Sequence, residues 1–196
     1  PTVYMHPVAR ISKAMLRRAT ERLIEETAID AERVRRMDDH DLLVALRQTP
    51  ETEGFAERYG SRRLLKRAIW AELQHVPESL LEADHAEIRE LESTIADRAE
   101  LPVTDVIVEI PDEPTMREST SRVVVGGEIR DLGAQSPLVS ALRTAQRGQW
   151  RLGVYTRPEA TDRVGRLAAE TLGLELPDGL IRERRRGLHA TLDDFE

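Results

Sequence analysis

The run Asp105-Val106-Ile107-Val108-Glu109-Ile110-Pro111 decides how this chain is read. Val106, Ile107, Val108 and Ile110 are all β-branched, the composition of a strand, and Pro111 and Pro114 stop it. The sequence before Leu101-Pro102 is patterned differently. Val8, Ile11, Met15, Leu16, Ala19, Leu23 and Ile24 recur at helical spacing, and Pro7 suits a first helical turn, so residues 7–27 predict a helix. Asp30 predicts the cap of a short helix through Met37. Asp38 or Asp39 predicts the cap of another, with Leu42, Leu43 and Leu46 facing inward. Gly54 and Gly60 bracket a short helical piece. Leu64, Leu65, Ala68 and Ile69 predict a helix from Ser61 to about Leu73, and a long helix is expected from Pro77 to about Ala99. On this reading the first hundred residues are helical throughout.

Beyond the deciding run, residues 112–119 are polar and read as a loop. Val123-Val124-Val125, Gly126-Gly127 and Glu128–Leu132 form a hairpin signature, because two glycines can both adopt the positive φ of a type I′ turn. Ser136-Pro137 is a cap followed by a first-turn proline. Trp150–Tyr155 reads as a strand, and a helix from Thr156 or Pro158 through Leu172 ends at Gly173. The expectation is an α+β chain in three parts. A helical region covers residues 1–100, a small lobe with an antiparallel or mixed sheet covers 101–180, and a charged tail covers 181–196.

Composition narrows the function. Forty percent of the 196 residues are hydrophobic, enough for a core, while a net charge of −7 makes nucleic acid or an anionic membrane a poor partner. There is no cysteine, which excludes disulfides, thiolate zinc sites and cysteine nucleophiles. No stretch approaches the roughly 18 apolar residues of a membrane span, and no signal peptide is visible, so a cytoplasmic location is the expectation. Lys13 and Lys66 are the only lysines among 29 basic residues, and an acidic, lysine-poor surface also suits a salt-rich cytoplasm.

No catalytic residue or metal ligand stands out. The five histidines are His6, His40, His75, His85 and His189, and none lies in an HExxH or HxH pattern. His40-Asp41 is a His-Asp doublet, but one such pair cannot fill a metal's shell, and it falls where a helix cap is expected. Asp84-His85 reads as a solvated pair. Gly126-Gly127 precedes a strand and lacks a following Lys-Ser/Thr, so it reads as a turn and not a phosphate loop. The Arg182–Arg186 cluster reads as a solvated or partner-pairing tail. Tyr4-x-His6, just ahead of the first helix, fits either ordinary packing or the wall of a ligand pocket. Arg62 and Lys66, on the predicted helix, are i,i+4 neighbours; they fit a solvated face, or a pair whose repulsion an anion would relieve.

Several motifs then occur in a telling order. Val3-Tyr4-Met5-His6 leads into Met15-Leu16-Arg17-Arg18-Ala19, followed by Met37-Asp38-Asp39-His40-Asp41-Leu42-Leu43 and Arg62-Arg63-Leu64-Leu65-Lys66. This order resembles the stretch after the catalytic core of HD-superfamily phosphohydrolases, in particular the dGTPase-like dNTP triphosphohydrolase group. The hairpin, the Pro137 helix and Trp150-Arg151-Leu152-Gly153-Val154-Tyr155 resemble that group's small C-terminal lobe. The resemblance implies a parent that hydrolyses dNTPs with a divalent metal (Mn, Mg, Fe, Co or Ni), held by a His, a His-Asp pair and a later Asp. None of those ligands has a match here. Tyr4 matches the family's tyrosine beside the substrate sugar, and His6 the histidine two residues on. The basic residue that often follows is Pro7 in this chain. Arg62 and Lys66 match an Arg-x-x-x-Lys pair that touches regulatory nucleotide phosphates near subunit contacts.

The resemblance thus implies the C-terminal portion of an HD-type phosphohydrolase. This portion would supply a substrate-pocket wall and an oligomer interface, take a nucleotide substrate or effector through its parent, and be inactive alone. A non-enzymatic protein–protein interaction module is the alternative.

Overall fold

The computed structural model describes residues 7–112 and 121–175. The chain is α+β, as the sequence predicts. Four helices come first: α1 (Pro7–Glu26), α2 (Ala31–Arg35), α3 (Asp39–Gln48) and α4 (Pro50–Gly60). Two are capped as expected. Asp30 accepts a hydrogen bond from Arg33 N, and Asp38 from Asp41 N, so the acidic run at 38–41 satisfies a helix N-terminus.

The predicted helix over 61–73 is not formed. Arg62 turns the chain in the left-handed region (φ 56°), and Lys66–Glu72 is a strand, β1. A register shift between Arg67 and Ile69 turns both Ala68 and Ile69 inward. Adjacent buried residues imitate helical spacing and hide the two-residue period of a strand. The long helix from Pro77 is also divided, into α5 (Glu78–Leu81) and α6 (His85–Arg98). Asp84 stops the first and starts the second through a capping box: its carboxylate accepts from Glu87 N at 2.9 Å, and Glu87 accepts from Asp84 N at 2.7 Å.

The remaining elements are β2 (Ile107–Glu109), the β3 (Arg122–Val125) and β4 (Glu128–Asp131) hairpin, α7 (Leu132–Gln135), α8 (Pro137–Gln149), β5 (Arg151–Thr156) and α9 (Thr161–Thr171). Both hairpin glycines have positive φ, as the type I′ reading requires.

One three-stranded antiparallel sheet, ordered β1-β5-β2, organises the molecule. Its central strand β5 is buried on both sides. Leu152 and Val154 join the core formed with α6 and α9; Tyr155 joins the core formed with α1, α3 and α4. The sheet thus takes one strand from the helical region and two from the later lobe, and helices cover both faces. Among the described residues, no helix is long and apolar enough to cross a membrane.

Candidate functional site

The face of the sheet against α1 carries the chain's buried polar chemistry. Arg10, in the first turns of α1, is almost wholly buried. Its Nη2 donates to Glu109 Oε2 at 2.8 Å and to the Arg151 carbonyl at 2.9 Å, and its Nε reaches Glu109 Oε1 at 3.4 Å. The guanidinium also stacks 4.4 Å from the centre of the Trp70 ring, where Arg67 approaches at 5.0 Å. The Tyr155 hydroxyl donates to Glu109 Oε2 at 2.5 Å. Burial, and then the negative charge of Glu109, push the Tyr155 hydroxyl well above its ordinary range, so it stays a neutral donor. Gly153 makes room for this ring: a Cβ there would lie 2.7 Å from Tyr155 Cζ.

A second network lies two turns further along α1. Glu92 of α6 is fully buried and accepts hydrogen bonds from Arg18, from Arg89 Nη1 at 2.5 Å and from Val108 N at 2.7 Å. Loss of water around Glu92 raises its carboxyl pKa, outweighing the lowering by Arg18 and the Val108 N–H. Arg89 Nη2 pairs with Glu21 at 2.5 Å, and His85 Nε2 lies 3.9 Å from the same carboxylate. A second buried acid, Asp105, sits between Arg58 Nη1 at 2.6 Å and Arg157 Nη2 at 2.5 Å.

A cleft of about 750 Å³ runs between α1, α6 and residues 107–112, with Lys13, Arg17, Arg18, Glu21, His85 and Glu109 among its walls. That volume suits a small ligand, but the wall charges are mixed and several are committed to each other. The first two networks fasten α1 to the sheet and to α6, and Asp105 ties α4 to the approach of α9; each buried acid spends its charge on arginine partners.

Tyr4 and His6 lie outside the described residues, as do the Arg182–Arg186 cluster and most of the predicted 112–119 loop. Arg62 stands on the exposed turn after α4, and Lys66 is the exposed first residue of β1, opposite Thr156. A turn joins the two, and the shared helix face expected for them does not exist. His40 lies exposed on α3, and His85 follows the Asp84 cap.

Arg10, Arg18, Glu92, Asp105, Glu109 and Tyr155 escape the sequence reading. For three of them a signal was present. Arg10 and Arg18 flank Ala14 at i,i+4 spacing, and Glu92 falls in the stripe of Ile88, Ile95 and Ala96. A charge at a core-facing helical position demands a buried partner.

The family described as "HD associated region" matches residues 1–183. An uncharacterized protein of Methanocaldococcus jannaschii is 27% identical over 161 residues, which cover 80% of this chain and 35% of the relative. The chain thus spans about a third of that relative's length.

Proposed function

The chain belongs to the HD-associated region family, the accessory part of an HD-type protein, and on that premise we propose that it completes a metal-dependent dNTP phosphohydrolase as its C-terminal portion. In this reading Tyr4 and His6 form one wall of the substrate pocket, beside the sugar. A divalent cation held elsewhere in the parent would supply the Lewis acidity for attack at phosphorus. This chain supplies position.

The observation that carries the reading is the anchoring of α1. Arg10 lies four residues after His6 in the sequence and is tied to Glu109, to the Arg151 carbonyl and to the Trp70 ring. Three sheet strands thereby hold the start of the helix that Tyr4 and His6 lead into. A pocket wall needs such a mount, because loosely held substrate contacts lose much of their catalytic effect.

Two further assignments belong to the same proposal. The β3–β4 hairpin and α8 expose Val124, Ile129, Leu138 and Leu142, which suits an interface between copies in a homo-oligomer. Arg62 and Lys66, on a turn and a strand end, are a candidate pair for the phosphates of a nucleotide effector. The same exposed apolar residues favour the second reading, a module that binds another protein without chemistry of its own.

The test is a kinetic comparison in the parent protein. Tyr4→Phe and His6→Ala are expected to raise KM for dNTP by about tenfold, the size of one lost polar contact. Unchanged KM and kcat in both variants overturn the pocket-wall assignment.

A further inference from the structure

The groove between α5, α6 and α9 lies on the opposite side of the sheet from α1. It encloses about 380 Å³. Leu80, Leu91 and Leu172 give it an apolar floor, and among the described residues Glu87 and Glu90 are its only charged lining. Glu87 is engaged in the Asp84 capping box. The Glu90 carboxylate makes no ion pair among the described residues. Arg98, the cation joining α6 to α9, is held by Glu170 at 2.6 Å and by Thr171 at 2.8 Å. The groove therefore combines apolar surface with an unanswered negative charge.

The chain itself leads there. Leu172 ends α9 in the groove wall, Leu174 is buried, and Glu175 N donates to the His75 carbonyl at 3.2 Å. Leu180-Ile181-Arg182-Glu183-Arg184-Arg185-Arg186 follows shortly in the sequence, an apolar pair and then four arginines with a single acid. Four residues separate Glu175 from Leu180, and an extended chain over those five steps reaches about 17 Å. We propose that Leu180–Arg186 docks in this groove of its own chain, with Leu180 and Ile181 on the apolar floor and the arginines against Glu90 and Glu87.

Three features support this occupant: the matching apolar pair, the opposite charge, and attachment at the rim. Attachment gives the segment a high effective concentration, so weak contacts suffice. Because charge pairing contributes, the docking is salt-sensitive.

Amide hydrogen exchange of the full chain tests the proposal. At low salt, amides of 180–186 are expected to exchange about tenfold more slowly than unprotected peptide amides, with α6 protected in parallel. Protection should disappear in about 1 M salt, where the Debye length falls to a few ångströms. Glu90→Lys, which leaves the capping box intact, should abolish the protection, as should Arg184→Glu with Arg185→Glu. The combined charge-swapped chain should regain it, and protection of β5 serves in every variant as the control for folding. Unprotected exchange at 180–186 in the unaltered chain overturns the proposal. So does protection that rises with protein concentration, since the occupant then comes from a second copy. Loss in both reversals without recovery in the swap overturns the charge pairing.

Discussion

Replacing Arg18 by Met should reveal how α1 is held. Arg18 is nearly buried, and Glu92, its partner, is fully buried. Removing one member of a buried pair costs about 3–5 kcal/mol, because the remaining charge is stranded. Here Arg89 and the Val108 N–H still reach Glu92, which places the expected loss near the lower end, about 3 kcal/mol. Arg18→Met combined with Glu92→Gln should be less destabilised than Arg18→Met alone. Gln still accepts from Val108 N but carries no charge to strand, so the double variant should lie within about 1 kcal/mol of the unaltered chain. The penalty should also depend on pH. The folded pKa of Glu92 already lies above its ordinary 4.5, and losing Arg18 removes the main influence that lowers it. A raised folded pKa means that the folded state binds more protons. The group's contribution is then fully present below pH 4.5 and is lost as pH rises through the folded value. The deficit of Arg18→Met should therefore widen from pH 4.5 upward and narrow in acid. Urea unfolding followed by circular dichroism at several pH values measures this. A loss under about 1 kcal/mol at pH 7, or a double variant as unstable as the summed singles, refutes the reasoning.

Other substitutions probe separate parts of the account. Gly153→Ala forces a methyl into the Tyr155 ring and should cost about 1–3 kcal/mol, read as a lower thermal midpoint. Tyr155→Phe removes only the hydroxyl that Glu109 accepts from; it should cost about 1 kcal/mol by urea unfolding and leave Arg10 in place. Asp105→Ala removes the shared partner of the partly exposed Arg58 and Arg157 and should cost about 1–3 kcal/mol by the same assay. Gly127→Val acts where φ is +86°. It should speed amide exchange within 121–132 and leave β5 unchanged, since among the described residues the hairpin pairs only with itself.

Much of the fold was legible where local signals act alone. The Asp30 and Asp38 caps, the Gly126-Gly127 turn and the Ser136-Pro137 start are short-range chemistry, and each forms as its residues dictate. Strand β1 was not legible. Its bulge places Ala68 beside Ile69 in the core, and its partner β5 lies some eighty residues away, so only the tertiary pairing distinguishes it from a helix. The break at Asp84 was written in the Asp84/Glu87 pair and was overridden by the continuing apolar stripe. As for the site, Arg62 and Lys66 share a face only on a helix, and the left-handed turn at Arg62 removes it. Asp105 and Glu109 look like surface acids in sequence. The burial of Asp105 and the half-burial of Glu109 depend on arginines from α1, α4 and the α9 approach, which no local pattern announces.

We propose that this chain positions substrate in a larger enzyme and performs no hydrolysis itself. Incubating the isolated chain and the full-length parent side by side with dGTP and Mn²⁺, and measuring inorganic triphosphate, tests it directly. The account predicts triphosphate from the parent and none above background from the chain alone. Sustained triphosphate release by the isolated chain, or its absence from a folded, metal-loaded parent offered each dNTP in turn, would contradict it.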